Sequence, residues 1–568
     1  MRLRSALPLL VFTAAACSDD SPVSPSATES TALFSCLLGE PQELAVGEVL
    51  QREGADAASF CLGGGSDGAE YVYVPFFASS EGTANVNVEV TGGGLIAVTG
   101  PPDPALAPRP ALGSAGGRDW RPNERFHHRL REREIREMTP LIPAAQAARR
   151  SRARMPAVAA AAPSIGQLLD LNTSTSCNVL DIRTGRIVAI SENAVVVADT
   201  ANPAAGFSAE DFEDFALRFD TLVYPVNEEN FGAPTDIDNN DRAIIFFTRA
   251  VNELTPPNSD SYIGGFFWAG DLFPREDTER LEGCVGSNYA EMFYLLAPDP
   301  NGVINGNVFP TNFVRQATVG VIGHEFQHLI NASRRLYVNN AFELEEVWLN
   351  EGLSHIAEEL LFYHVSGLSP RQNIDLEALR SSDRVLDAVN TYQIANLSRY
   401  ATYLENPDEE SLLGEDNLPT RGASWAFMRY TADMKDGPDA PFFFDVVNSR
   451  VAGVENLREV LEAEPIDLMQ DWTVSVYTDD AVEGIPSQFT QPSWNFRDIM
   501  VVFSDDEQSF PLEVINLEST TETTLTLKGG GAAFLRFGVG ASGRAILNTT
   551  SDDEIPAASL RISIVRTH

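Results

Sequence analysis

His324-Glu325-Phe326-Gln327-His328 places two imidazoles four positions apart with a carboxylate beside the first, inside a helical apolar pattern that runs from Phe313. On a helix, that spacing stacks His324 and His328 one turn apart on one face, where both can hold a single ion while Glu325 projects beside them. The chemistry this allows is hydrolysis, in which zinc brings the pKa of a water toward about 7 and Glu325 takes its proton as general base. The plainer reading is a pair of core histidines on a buried helix. It would leave two imidazoles and a carboxylate unpaired in apolar surroundings, which is costly without a metal.

Catalytic zinc takes three protein ligands and keeps a fourth position open, and downstream donors are Glu345, Glu346, Glu351 and His355. Arg334 stands six positions past His328, where a metzincin needs histidine, so a carboxylate is expected instead. Trp348-Leu349-Asn350-Glu351-Gly352-Leu353 resembles the W-L-N-E-G segment of the gluzincin peptidases, seen in the aminopeptidase N group, whose Glu binds zinc. The resemblance implies that Glu351 completes a site for one Zn2+ per chain. The stretch of 22 residues between His328 and Glu351 is a little longer than in that group, consistent with a loop insertion between two helices. Thermolysin-type gluzincins carry N-E-x-x-S-D, with the Asp bonded to the first zinc histidine, whereas here Ser354 is followed by His355. His355 is left with a hydrogen bond behind a ligand, oxyanion stabilisation or local packing as its roles. Glu358, two turns past Glu351 on the same face, is the expected supporting carboxylate.

From about 165 to 480 the chain looks most like the hyicolysin family of secreted bacterial metallopeptidases. The matching features are Gly232-Ala233-Pro234-Thr235-Asp236-Ile237-Asp238, Glu291-Met292-Phe293-Tyr294, H-E-x-x-H and Trp348 to Ser354. The resemblance implies a thermolysin-like zincin catalytic domain acting on protein or peptide substrates, and it does not extend to residues 1–160. An oxyanion partner is expected from another helix; Arg421 and Tyr430, on a helical segment from Thr420, are candidates. Asp236, Asp238 and Asn240 place oxygens at alternating positions, as at the start of a Ca2+ loop, against the alternative of a turn rich in Asx caps. With Asp241 sixth and Phe247 twelfth it is not an EF-hand.

The elements that must position these residues read as a β half followed by an α half, an α+β layout. Strands are expected at 186–190, 194–198, 243–248 and 292–296, with Ser208 capping an acidic helix, and helices from Thr311 onward. The strand around Glu291 to Leu296 is expected at a sheet edge, pairing with an extended substrate. The metallopeptidase domain spans 164–490, flanked by an N-terminal β-sandwich at 33–100 and a C-terminal β-domain at 491–568. Between them, 101–163 reads as a Pro- and Arg-rich linker with a short helix at Phe126–Met138, whose Arg149 to Arg154 run is either a processing site or a solvated basic stretch.

Arg2, Arg4 and the apolar stretch Ala6–Ala16 read as a signal peptide (1–16), and Ala14-Ala15-Ala16-Cys17 resembles a bacterial lipobox, although Ala14 stands where Leu is usual. Lipidation of Cys17, with 17–32 as a tether, would make an envelope lipoprotein held to the membrane by its lipid alone; ordinary cleavage would make a secreted one. The other cysteines, Cys36, Cys61, Cys177 and Cys284, suit two disulfides in an oxidising compartment, and grouping by domain favours Cys36 with Cys61 and Cys177 with Cys284. With 40 basic against 81 acidic residues, the charge of -41 argues against nucleic acid as a partner. Two rivals to a zinc endopeptidase stay in view. An aminopeptidase would need an acidic anchor, which Tyr289-Ala290-Glu291-Met292-Phe293 only faintly resembles, and a silent adhesion protein would be expected to lose Glu325 or a ligand first.

Overall fold

The alternating β-formers at the two ends of the chain pair with each other. The computed structural model describes residues 36, 39–98, 121–152, 162–259, 261–275, 283–503, 509–519 and 522–568. Its N-terminal strands are β1 (Val49–Glu53), β2 (Ser59–Gly63), β3 (Ala69–Phe77) and β4 (Asn85–Gly93). The central strands are β5 (Leu168–Asn172), β6 (Ile182–Ile190), β7 (Ala194–Asp199), β8 (Ala243–Phe247), β9 (Gly265–Phe266) and β10 (Met292–Leu295). The C-terminal strands are β11 (Ile515–Asn516), β12 (Thr523–Lys528), β13 (Leu535–Val539), β14 (Arg544–Ser551) and β15 (Leu560–Arg566). One sandwich draws on both ends, with sheets ordered β1-β15-β3-β13-β11 and β12-β4-β14-β2. Tyr73 of β3 lies opposite both Leu535 and Ile564, and Tyr71, Phe537, Leu547 and Ile562 fill the space between the sheets.

The expectation of two flanking β-domains is therefore corrected to one composite sandwich. Period-2 alternation tells which face of a strand is buried but not which strand it pairs with. The expected boundary near 490 also moves, because Trp494, Phe496 and Ile499 sit in the main core beside Tyr400 and Trp425. Cys36 pairs with Cys61 within the sandwich, and Cys177 with Cys284 in the central body, the grouping expected by domain.

The central body is α+β. Its six-stranded sheet runs β5-β6-β7-β8-β10-β9, with β7, β8 and β10 parallel and β9 antiparallel at the edge. Strands β8 and β10 are buried along their whole length, as central parallel strands covered on both faces should be. The strand at 292–295 is thus interior rather than an edge, and the two-residue β9, too short to leave a period, takes the edge. Neither Cys17 nor the expected signal peptide and tether fall within the described residues. Among the described residues no helix is long and apolar enough to cross a membrane.

Residues 121–152 are not a linker. Helix α1 (Arg121–Met138) and helix α2 (Ile142–Arg152) pack into the main core through Leu130, Met138, Ile142 and Ala145. Their sparse apolar positions are masked in the sequence by arginines and glutamates. Helix α3 (Ala209–Arg218) starts at Ser208 with the expected cap, completed by Asp211 as a capping box. The remaining helices that build the site are α4 (Thr311–Tyr337), α5 (Val347–Ser366), α6 (Ile394–Leu404) and α7 (Leu418–Met434). Helix α4 lies along β9 and β10, α5 packs on α4, and α7 packs on both α5 and α6.

Candidate metal centre

Helix α4 carries His324 and His328 on the face turned to α5, and the two helices meet where Gly323 lacks a side chain. A Cβ there would stand 2.4 Å from Leu361 Cδ1. The two imidazole Nε2 atoms are 3.1 Å apart. Glu351, on the first turns of α5, puts one oxygen 3.5 Å from His324 Nε2 and the other 3.5 Å from His328 Nε2. Ligands about 2.1 Å from a tetrahedral ion lie about 3.4 Å from one another, so the spacing of the two imidazoles and the carboxylate is that of a three-ligand zinc site.

The atoms behind these groups fix which ring nitrogens are free. His328 Nδ1 lies 2.9 Å from Ser354 Oγ and 3.1 Å from Asn350 Oδ1; as the N–H it donates there, leaving the Nε2 lone pair facing the centre. Burial, and then Arg131, push the pKa of His328 well below its usual value, so the ring is neutral. His324 Nδ1 lies 2.8 Å from Glu358 Oε1. Burial opposes charge on His324, but the bonds to Glu351 and Glu358 outweigh it and lift the pKa to about 9. Glu325 Oε2 is buried with no hydrogen-bond donor, and Glu351 Oε2 meets only cationic or imidazole nitrogens, at 3.2 Å from Arg421 and 3.5 Å from His324, which suits a pocket built around a cation.

A Glu325 carboxylate oxygen lies within 4.8 Å of a ring nitrogen of both histidines. Burial raises its pKa to about 7, against the pull of His324 and Arg131. His355 is fully buried, with Nδ1 3.2 Å from the same Glu358 oxygen that holds His324 and its ring 4.7 Å from the His324 ring. Burial and then Arg399 lower its pKa to about 3, so it is neutral and steadies Glu358. Arg421 grips Asp416 through two nitrogens at 2.6 and 3.0 Å and reaches Glu351 Oε2 with its third at 3.2 Å.

Two expectations are corrected. Tyr430 stands nine residues beyond Arg421, on the opposite face of α7, and its hydroxyl donates to Gln488 O. Asn240 does not offer an oxygen to a calcium loop: its Oδ1 accepts from Arg242 N and its amide nitrogen donates to Asp238 Oδ2.

Arg131 and Glu134 of α1 escaped the sequence reading because they lie in the supposed linker. Arg131 Nε reaches Glu351 Oε1 at 3.3 Å and its Nη1 lies 2.6 Å from Glu134 Oε2, while Glu134 Oε1 accepts from Ala269 N at 2.7 Å. His127, one turn before Arg131, is buried with Nδ1 unpartnered. Phe126 meets Phe266 of the edge strand at 5.5 Å between ring centres. Helix α1 thereby closes the centre. His324 is 6% exposed and Glu351 1%, and a cavity of about 20 Å³, room for about one water, lies between Arg131, Glu134, His328, Asn331 and Asn350.

Fold and site together define an α+β protein with a two-histidine, one-carboxylate pocket able to hold a transition-metal ion. The chain is similar to the neutral metalloprotease ShpI of Staphylococcus hyicus, at 27% identity over 148 residues, which are 25% of this chain and 29% of that protein. The chain thus matches 29% of that relative's length. No family model matches the chain.

Proposed function

We propose that this chain is an extracytoplasmic zinc metallopeptidase that hydrolyses peptide bonds in proteins or peptides, on a thermolysin-like zincin domain. The observation that carries the reading is the convergence of His324 Nε2 and His328 Nε2, 3.1 Å apart, on the Glu351 carboxylate, whose Oε2 lies 3.5 Å from the first and whose Oε1 lies 3.5 Å from the second. A zinc ion held there supplies Lewis-acid polarisation of the scissile carbonyl and makes a water acidic at neutral pH. Glu325 takes the proton of the attacking water and returns it to the leaving amine nitrogen. Glu358 holds His324, and Ser354 with Asn350 holds His328, each keeping an Nε2 lone pair aimed inward. Arg421 and Arg131, at 3.2 and 3.3 Å from the Glu351 carboxylate, are the guanidiniums beside the centre and the candidates to steady a developing oxyanion. Two disulfides support an oxidising compartment.

An aminopeptidase is disfavoured, since Glu291, its one suggested anchor, is turned to Thr235 Oγ1 and Ile237 N at 3.0 and 2.8 Å. The test is zinc content and hydrolysis of a short fluorogenic peptide by the full chain beside Glu325→Gln. About one zinc per chain in both, with hydrolysis in the wild type alone, is expected. Absence of zinc from freshly prepared protein, or equal hydrolysis by Glu325→Gln, overturns the reading.

A further inference from the structure

A second group of carboxylates lies apart from the zinc centre. Glu291, at the residue before β10, is 2% exposed. Its Oε1 accepts from Ile237 N at 2.8 Å and from Thr235 Oγ1 at 3.0 Å, which turns the 235–241 loop around it. Its Oε2 is buried without any donor. One carboxylate oxygen from each of Asp236, Asp238 and Glu291 lies within 4.8 Å of the other two. A buried carboxylate left half-satisfied beside two others is costly unless a cation joins them.

The neighbouring cations do not serve. Arg149 Nη2 donates to Asp236 O at 2.9 Å, and Arg242 donates to Ser191 O at 2.8 Å and Asn240 O at 2.9 Å. Both guanidiniums thus go to backbone carbonyls, and among the described residues no ion pair reaches the three carboxylates. Burial and then Asp236 push the pKa of Asp238 to about 6, and burial and then Asp238 push Glu291 to about 8, the mark of crowded negative charge lacking a counter-ion. Asn239 and Asp241 hold left-handed backbone at φ 62° and 57°, so the loop is bent rather than extended.

We propose that Asp236, Asp238 and Glu291 form a structural calcium site, separate from the zinc centre, that fastens the 235–241 loop to the end of β10. The three donors are all carboxylate oxygens, which selects a hard cation such as Ca2+ over zinc. The loop is also tied to α4, through Thr235 N on Ser333 Oγ and Arg334 Nη1 on Ala233 O, and to α2 through Arg149. A cation there would therefore brace the helix that carries His324 and His328 from its C-terminal half.

The test uses the full chain carrying Glu325→Gln to suppress self-digestion, zinc-loaded and freed of calcium. Calorimetric titration with CaCl2 and thermal unfolding at rising calcium are measured on this protein and on it with Glu291→Gln, Asp236→Asn or Asp241→Asn added. One saturable site is expected, with a Tm that climbs with calcium. Glu291→Gln and Asp236→Asn should each weaken binding at least tenfold, while Asp241→Asn, which removes a neighbouring charge but no ligand, should change it less than threefold. Should Glu291→Gln not fold, Asp236→Asn carries the comparison. No saturable binding and no change in Tm would overturn the site, as would an equal loss in Asp241→Asn, which would signify diffuse acidity. Zinc content is read separately, so either site can fail without the other.

Discussion

Replacing Arg131 and Glu134 together tests whether α1 competes with metal for Glu351. The single change Arg131→Met would strand Glu134 as an uncompensated buried carboxylate, at a cost of about 3–5 kcal/mol to stability. The pair Arg131→Met/Glu134→Gln keeps the side-chain volume, removes both charges and still presents an acceptor to Ala269 N, which lies 2.7 Å from Glu134 Oε1. Arg131 Nε stands 3.3 Å from Glu351 Oε1, both side chains buried. Unit charges about 4 Å apart at an effective dielectric near 20 attract by about 4 kcal/mol. Arg421 remains on the other oxygen at 3.2 Å, and the desolvation of Arg131 already offsets part of its attraction. About 1–3 kcal/mol of competition should therefore be relieved, a gain of roughly tenfold to a hundredfold in zinc affinity. Competition with a chromogenic chelator measures that gain, and hydrolysis of a short peptide should quicken with it. Unchanged or weaker zinc binding with no faster hydrolysis would refute the argument and make Arg131 an integral support of Glu351.

Glu358→Gln removes the carboxylate that orients His324, and should weaken zinc binding about ten- to a hundredfold; equal affinity by chelator competition would deny Glu358 this role. Gly422→Ala should destabilise the fold by about 1–3 kcal/mol, because a Cβ there would lie 2.4 Å from Tyr400 N and force α6 from α7; urea unfolding measures it. Asp271, fully buried, is pushed to about 7 by burial, against a hydrogen bond from Tyr294. The folded state then holds a proton that the unfolded chain releases near pH 4, so this contribution is fully present below pH 4 and lost as pH rises through about 7. Asp271→Asn should flatten the pH dependence of denaturant midpoints between pH 4 and 8 by roughly 2–4 kcal/mol.

The fold was legible where a local period decides the element, and illegible where pairing decides it. The runs at 186–190, 194–198 and 243–247 are strands as their β-branched and aromatic residues demand, and Ser208 caps its helix. Nothing local in Tyr71–Val74 announces that its neighbours are Leu535–Val539 and Leu560–Arg566, more than 460 residues away. The α1–α2 pair was hidden for a different reason. Its core face is made of Leu130, Met138, Ile142 and Ala145, too few apolar positions to stand out among arginines, and its buried charges look like surface charges until their partners are known.

The metal centre divides along the same line. His324, Glu325 and His328 lie on one helix, where a spacing of four imposes proximity whatever the rest of the chain does. Glu351 is on another helix, and its assignment drew on a resemblance rather than on spacing. Yet once α5 is laid against α4, one helix supplies Glu351 and, two turns on, the Glu358 that holds His324, so a single packing contact sets both the ligand and its support. Arg131 and Glu291 have no such regularity behind them: each meets its partners, Glu351 in one case and Asp236 with Asp238 in the other, only through tertiary packing. Buried charge is what makes them conspicuous in the folded chain. A guanidinium or carboxylate withdrawn from water must answer another charge, and at both the zinc centre and the Glu291 cluster gathered metal-ligating side chains lie beside a buried carboxylate oxygen that has no donor, which is why a cation suits each.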